Sequence, residues 1–126
     1  MSKFKGLRTT IYKVTEIDDA RRWYSKVFET IPYFDQPFYV GFNIGGFELG
    51  LQPSIHRSEV QTDNVVSYWG VEDIETVYNF MINNGAETYE KPENVGGDIM
   101  VATVIDPWGN IIGLIFNPSF KIVVND

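Results

Sequence analysis

Glu48 is the residue of this chain whose type and surroundings could carry chemistry. It lies between Phe47 and Leu49 in a segment that is largely apolar. If apolar side chains flanked its carboxyl group, desolvation would disfavour the charged form and Glu48 could act as a general base. Lys13, on a neighbouring predicted strand, could instead pair with it, or the side chain could simply be exposed. Glu48 is therefore a candidate catalytic residue with two structural alternatives.

Other residue types that bind metals or attack substrates are scarce. The chain has no cysteine, which excludes disulfides, thiolate ligands and a cysteine nucleophile and fits a cytoplasmic location. The single histidine, His56, lies in a polar stretch and is interpreted as an ordinary surface residue. The net charge of −7 predicts no nucleic-acid partner, because that affinity comes largely from Lys and Arg. No apolar run approaches the roughly 18 residues of a membrane span, so no membrane partner is expected.

The elements that must position these residues occur twice. Residues 11–23 and 68–80 share a strand-like run ending in Val, then an acidic residue, Ile and a helical stretch. Residues 46–51 and 109–114 match in the same order. Each match alone could be chance, but two in the same order indicate a duplicated module. Each half reads as β-α-β-β-β.

The predicted organisation is a single domain over 1–126. Module one covers about 7–53, a linker 54–64, module two about 65–118 and a terminal extension 119–126. Hydrophobic periodicity and turn residues place the elements. In module one the predicted elements are a strand at 8–14, a helix at 18–28 and a hairpin of 38–44 with 47–52. In module two they are a strand at 65–71, a helix at 75–84, a short strand at 87–89, a loop at 92–97 and a hairpin of 100–105 with 111–116.

The last hairpin has the most specific sequence. Asp106-Pro107-Trp108-Gly109-Asn110 is typical of a type I turn followed by a bulge glycine. Trp108 is predicted to be core or interface unless the turn exposes it, in which case it would belong to a pocket rim or a dimer contact.

This hairpin, the paired β-α-β-β-β halves and the helix-opening Val-x-acidic-Ile pattern resemble the vicinal oxygen chelate superfamily. That superfamily contains glyoxalases, bleomycin resistance proteins and dioxygenases, and the resemblance covers about residues 7–118. It implies an α+β fold in which curved mixed sheets from two tandem modules surround a shared cavity. It also implies a homodimer.

The catalytic members of that superfamily hold a divalent metal at four strand positions. The resemblance places those positions at Thr9, Val66, Gly113 and Gly50, or at Glu48 in place of Gly50 if the register shifts by two. Divalent ions of this kind need imidazole, thiolate or carboxylate donors, which threonine, valine and glycine lack. We therefore expect no metal site and no cofactor.

Residues that share a strand face with these positions are expected to line the cavity, because side chains alternate along a strand. Their apolar and partly polar character suits a small organic molecule, although they could instead fill a closed core. The candidate ligand-binding residues are Thr9, Ile11 and Lys13; Gly50 and Gln52; Val66 and Tyr68; and Ile111, Gly113 and Ile115.

The sequence therefore favours a metal-free protein that binds a small molecule. A planar or cationic ligand would be compatible with the acidic charge balance. Three alternatives stay open at this point: a metal-dependent lyase, isomerase or dioxygenase with other ligands, a metal-free acid–base enzyme using Glu48, and a scaffold whose cavity has closed.

Overall fold

The computed structural model describes residues 2–57 and 62–120. The chain divides into two compact units, Met1–Glu59 and Val60–Asp126. Each unit carries one helix and one four-stranded mixed sheet, so the predicted α+β class and the repeated β-α-β-β-β order are confirmed. Part of the expected linker, 58–61, and the end of the expected extension, 121–126, lie outside the described residues. Neither described helix is long and apolar enough to cross a membrane.

The first unit contains β1 to β4 and α1. The sheet order is β1-β4-β3-β2, with β4 parallel to β1 and antiparallel to β3. Gly45 and Gly46 form the predicted turn between β3 and β4. The elements are β1 (Thr9–Val14), α1 (Ile17–Val27), β2 (Phe34–Gln36), β3 (Tyr39–Ile44) and β4 (Phe47–Pro53).

The core of the first unit forms where the apolar stripe of α1 meets one face of this sheet. Tyr24 is fully buried, and its ring stacks on Tyr12 and on Phe28 with ring centroids 5.7 Å apart in each pair. The strands contribute side chains with 0% exposure, namely Val14, Val40, Phe42, Leu49 and Leu51. The helix α1 therefore covers one face of the sheet, and the alternate side chains of the strands lie on the opposite face.

The second unit repeats this plan with β5 to β8 and α2. Its sheet order is β5-β8-β7-β6, and β5 is again parallel to the last strand. Asp73 is the N-cap residue just before α2, and its side chain accepts a hydrogen bond from the Thr76 backbone N–H at 3.2 Å. The elements are β5 (Tyr68–Gly70), α2 (Ile74–Asn83), β6 (Glu87–Gly96), β7 (Ile99–Ile105) and β8 (Ile111–Phe116).

The predicted turn between β7 and β8 is closed by a buried carboxylate. Asp106 is 1% exposed, and one of its oxygens accepts the backbone N–H groups of Trp108 and Asn110, each at 2.8 Å. Its other oxygen accepts the Asn110 side-chain amide at 2.9 Å. Gly109 has a φ of 89°, a left-handed conformation that side chains rarely adopt.

Two local expectations were wrong. The strand predicted over 65–71 is paired only from Tyr68 to Gly70, so Val66 precedes it. The loop predicted over 92–97 is instead mostly the end of β6, which stays paired with β7 through three register shifts. Bulges explain the second error, because they let Pro and Gly remain inside an edge strand. Trp108 is 5% exposed and belongs to the core, as expected for a turn that does not expose it.

We expect Asp106→Asn to lower the free energy of unfolding by about 2 kcal/mol, because an amide N–H₂ would face the Asn110 amide where an acceptor is needed. Urea denaturation followed by circular dichroism measures the change. Asp98→Asn, the same substitution in the exposed turn between β6 and β7, is the control and should change stability by less than about 0.5 kcal/mol. Equal effects of the two substitutions would contradict this role of Asp106.

Candidate functional site

The candidate site lies on the face of the first sheet that α1 does not cover. On β4, Leu49 and Leu51 point into the core, so Glu48 and Gly50 belong to the opposite face. The register places Thr9 beside Glu48 and Ile11 beside Gly50. Glu48 rather than Gly50 therefore lies opposite Thr9.

Two hydroxyl groups donate hydrogen bonds to the Glu48 carboxylate. Thr9 Oγ1 donates to Oε1 at 2.8 Å, and the Tyr33 hydroxyl donates to Oε2. A third hydroxyl, that of Tyr39, lies near enough to help lower the pKa of Glu48. Tyr33 precedes β2, Tyr39 begins β3 and Thr9 begins β1, so the three hydroxyl groups come from three separate segments of the chain.

These hydrogen bonds set the charge of the site. The Tyr33 hydrogen bond, together with those from Thr9 and Tyr39, holds the pKa of Glu48 below its ordinary value of 4.5 although partial burial opposes the shift. Burial and the bond to Glu48 raise the pKa of Tyr39 to about 12. The bond to Glu48 also raises the pKa of Tyr33. Near neutral pH the cluster is therefore one carboxylate anion surrounded by neutral phenols.

The expectation that desolvation would dominate and raise the pKa of Glu48 was wrong, and its role as a general base stays a prediction. A carboxylate whose pKa is lowered accepts a proton less readily, and phenols whose pKa values are raised are weaker acids. The alternative pair with Lys13 was also wrong, since Lys13 lies beside Gln52, four residues along β1 from Thr9. Neutral donors, and no lysine, hold the carboxylate.

Two glycines make room for the tyrosine rings. A Cβ atom on Gly50 would lie 2.7 Å from Cζ of Tyr39, and one on Gly41 would lie 3.0 Å from Cε1 of Tyr33. Real Cβ atoms almost never come closer than 3.0 Å to another heavy atom. Both rings therefore lie directly over the backbone of the sheet, which is a reason for glycine inside a strand.

Apolar side chains surround this cluster. Phe34 packs near Phe38 and Tyr39, with ring centroids 6.0 Å and 6.2 Å apart. Ile11 is 45% exposed, Tyr33 65% and Phe34 38%. In the first unit, this surface combines exposed aromatic and aliphatic groups with the Glu48 carboxylate.

The structure brings the sequence-predicted residues together as two sets, one on each sheet. Thr9, Ile11 and Lys13 share one face of β1 with Glu48, Gly50 and Gln52 on β4. In the second unit Tyr68 pairs with Gly113, and a Cβ on Gly113 would lie 2.7 Å from Cδ1 of Tyr68. Ile111 and Ile115 follow the same alternation on β8, whereas Val66 lies before β5.

Sequence reasoning missed Tyr33, Gly41 and, as a site residue, Tyr39. Tyr39 and Gly41 stand two apart on a predicted strand, so alternation with Gly50 on the paired strand was a usable signal. Tyr33 precedes β2 in an irregular segment, and nothing local in the sequence indicates where its side chain reaches.

The donor set expected for a metal does not form. Within residues 2–57 and 62–120, no three His, Asp or Glu side chains come together as metal ligands. The carboxylate at Glu48 is bonded to hydroxyl groups, and His56 is exposed in the loop after β4. These residues do not fit the divalent ion that the resemblance implies.

A separate surface groove of about 610 Å³ runs along the end of α1. Two of its arginines form ion pairs: Arg21 contacts Asp35 within the groove and Asp18 outside it, and Arg22 contacts Asp19 outside it. It contains none of the predicted site residues. The groove is therefore a weaker candidate than the Glu48 cluster.

We expect Glu48→Gln to lower the free energy of unfolding by about 1 kcal/mol near pH 7, because hydrogen bonds to a charged, solvent-accessible acceptor are partly screened. Since folding lowers the pKa of Glu48, its stabilisation is present above 4.5 and is lost as the pH falls through the lowered pKa. Urea denaturation at several pH values should therefore show the two proteins converging in acid. Glu93→Gln, at an exposed position on β6, is the control; a difference for Glu48→Gln that persisted in acid would contradict the assignment.

Comparison with known proteins agrees with this architecture. No family model and no curated protein sequence matches the chain. Solved structures do match. A glyoxalase-related enzyme from Fulvimarina pelagi aligns with a TM-score of 0.76 at 15% identity, over 95% of this chain and 94% of its own. A glyoxalase/bleomycin resistance protein from Albidiferax ferrireducens aligns with a TM-score of 0.69 at 16% identity, over 89% and 98%.

The fosfomycin resistance protein FosX from Mesorhizobium loti aligns with a TM-score of 0.72 at 13% identity, over 92% of this chain and 95% of its own. Sequence identities this low support a shared fold but not a shared activity. Nearly the full length of each chain takes part in these alignments, so the similarity concerns the whole repeated architecture. The chain therefore has the fold of the glyoxalase, bleomycin resistance and dioxygenase proteins, the vicinal oxygen chelate fold.

Proposed function

We propose that this protein binds a small organic molecule without a metal ion, at the open face of its first sheet around Glu48. The observation that carries the proposal is the cluster itself: one ionised carboxylate that accepts hydrogen bonds from Thr9 and Tyr33, with the exposed side chains Ile11 and Phe34 beside it. An apolar surface with a few placed polar groups is what small-molecule sites commonly offer.

The same geometry supports binding over acid–base catalysis. A catalytic base works best with a pKa near the working pH, whereas the hydroxyl donors hold the pKa of Glu48 below 4.5. The bleomycin resistance proteins among the structural neighbours bear a name that concerns a drug, which is compatible with sequestration of an organic compound. A ligand position between the modules, a homodimer and a cytoplasmic location stay predictions; the proposal rests on the first sheet alone.

We expect calorimetric titration of the chelator-treated protein with Ni²⁺, Zn²⁺ or Mn²⁺ to show no site tighter than about 0.1 mM, because glycine and threonine replace the usual donors. Weak heats that disappear in about 0.5 M salt would indicate surface carboxylates. Stoichiometric binding at about micromolar affinity would overturn the metal-free part of the proposal.

We expect Nile red, a neutral planar dye that fluoresces in apolar surroundings, to bind saturably to the protein. Ile11→Ser and Phe34→Ser should each weaken that binding about fivefold, since each removes apolar surface from the face. Both residues are partly exposed, so the variants should remain folded, which circular dichroism verifies.

Ile55→Ser is the matched control. Ile55 lies in the same unit and is 89% exposed, after β4 and outside the cluster. Its substitution should leave dye binding unchanged. Equal binding by the wild type and both face variants would place the dye elsewhere and contradict the proposed site.

A further inference from the structure

Resting on the proposed function, we infer that the side chain of Tyr33 occupies the place of the ligand, so that a ligand binds this face by displacing the Tyr33 ring. The ligand is a flat aromatic molecule with a neutral hydrogen-bond donor at one end, as a phenol has. Three features of the structure support this: the floor beneath the ring, the attachment of the ring, and the hydrogen bond at its end.

Two glycines form a floor without side chains in the middle of the first sheet. Gly50 on β4 pairs with Gly41 on β3, and these glycines pair outward with Ile11 on β1 and Phe34 on β2. Paired residues on neighbouring strands point to the same face of a sheet. This row of four residues is therefore a slot with a partly exposed apolar side chain at each end and no side chain between them.

The protein fills this slot with two of its own rings. The ring of Tyr39 lies over Gly50, and the ring of Tyr33 lies over Gly41. In each case a side chain on the glycine would overlap the ring. The slot therefore accommodates aromatic rings, and each half of it already holds one.

The two rings differ in how they are attached. Tyr39 belongs to β3 and pairs with Gln36 on β2, so its backbone is fixed in the sheet. Tyr33 lies outside the strands, where its backbone N–H donates to the Gly41 carbonyl at 2.9 Å. Its side chain is 65% exposed, and the hydroxyl at its end donates to Glu48. Rotation of this side chain into solvent would uncover Gly41 and leave the backbone in place.

The hydrogen bond at the end of the Tyr33 ring defines the polar part of the ligand. The hydroxyl donates to Oε2 of Glu48, and this bond raises the pKa of Tyr33, so the phenol stays neutral. A ligand that replaces the ring excludes water from the same oxygen, which then needs another donor. A neutral donor supplies that bond, whereas an anionic group such as a phenolate would be repelled by the carboxylate.

A side chain that covers a binding site lowers the apparent affinity of that site. When the site is open in only a fraction of the molecules, the apparent dissociation constant equals the intrinsic constant divided by that fraction. Variants that weaken or remove the cover should therefore bind the ligand more tightly. A side chain that forms a wall of the site has the opposite effect, because its removal takes apolar contacts away.

The test is a titration with 4-methylphenol, which has the ring and hydroxyl group of a tyrosine side chain, followed through the amide NMR signals of Gly41 and Gly50. We expect the wild type to bind it with a dissociation constant of about 1 mM. Tyr33→Phe keeps the ring but loses the bond to Glu48, and it should bind about threefold more tightly. Tyr33→Ala should bind about tenfold more tightly than the wild type. Circular dichroism verifies that both variants are folded.

A second probe, 4-methylanisole, tests the donor. It keeps the ring, but its methoxy group cannot donate a hydrogen bond to Glu48. We expect it to bind each protein at least about threefold more weakly than 4-methylphenol does.

Tyr89→Phe and Tyr89→Ala are the matched controls. Tyr89 is a partly exposed tyrosine on β6, and its hydroxyl also donates to a carboxylate, that of Asp63, at 2.9 Å. Both substitutions should leave the affinity for 4-methylphenol unchanged. Gly41→Ala, added to Tyr33→Ala, tests the position of the probe: its methyl group would lie where the ring lies, so the tenfold gain should disappear.

The other outcomes overturn the inference. Unchanged or weaker binding by both Tyr33 variants would make this side chain a wall of the site and not its cover. Binding to Tyr33→Ala with none to the wild type at about 10 mM probe would mean that the probe only fills an artificial hole. Equal affinities for the two probes would contradict the donor in the ligand class.

Failure of this inference and failure of the proposed function remain distinguishable. In each of these outcomes, saturable Nile red binding that depends on Ile11 and Phe34 would still support small-molecule binding at the face. If Nile red and both probes bind neither the wild type nor any variant, the proposed function itself is wrong.

Discussion

The alternation of side chains along β4 is the constraint on which the rest of the first module depends. β4 is hydrogen-bonded on both sides, to β1 and to β3, so its register fixes both neighbours. Leu49 and Leu51 enter the core beneath α1, while Glu48 and Gly50 take the opposite face. A slip of one residue would press a carboxylate against the helix and expose two leucines. Fold stability and site geometry therefore depend on the same register.

This register places the Glu48 carboxylate where neutral hydroxyl groups can donate hydrogen bonds to it. Thr9 occupies a position where the resemblance expects a metal ligand, and here its hydroxyl group donates to Glu48. With these hydroxyls around it, the carboxylate stays ionised. A lowered pKa favours electrostatic recognition over proton transfer as the role of the cluster.

In both modules a tyrosine ring packs against a glycine inside a strand, but the polar groups near the ring differ. Gly50 lies under the ring of Tyr39, and Gly113 lies against the ring of Tyr68. In the first module the ring reaches a carboxylate, whereas the second module has Ile111 two residues before its glycine, where the first has Glu48. In the second sheet a different pair forms, in which Thr103 donates to Glu90 at 2.9 Å. Each module thus places a tyrosine ring over a strand glycine, but the rings come from different strands, β3 in the first module and β5 in the second.

The sequence by itself determined the repeated β-α-β-β-β order, the α+β class and the Asp106 turn. These features depend on periodicity, turn residues and short-range hydrogen bonds, all of which are local. It also placed Thr9, Glu48 and Gly50 on one face, because alternation along a paired strand is a local rule as well. The predictions from strand alternation failed in two places: at β6, which contains bulges, and before Tyr68, where the strand is shorter than predicted.

Only the tertiary structure decided the pKa of Glu48. Its pKa depends on hydroxyl groups from three segments, and Tyr33 reaches it from an irregular segment 15 residues away in sequence. Desolvation, which the apolar neighbours of Glu48 suggested, is outweighed by those donors. Whether a carboxylate is a base or an anionic acceptor is set by the groups around it in space, and their convergence is not encoded in any one stretch of the chain.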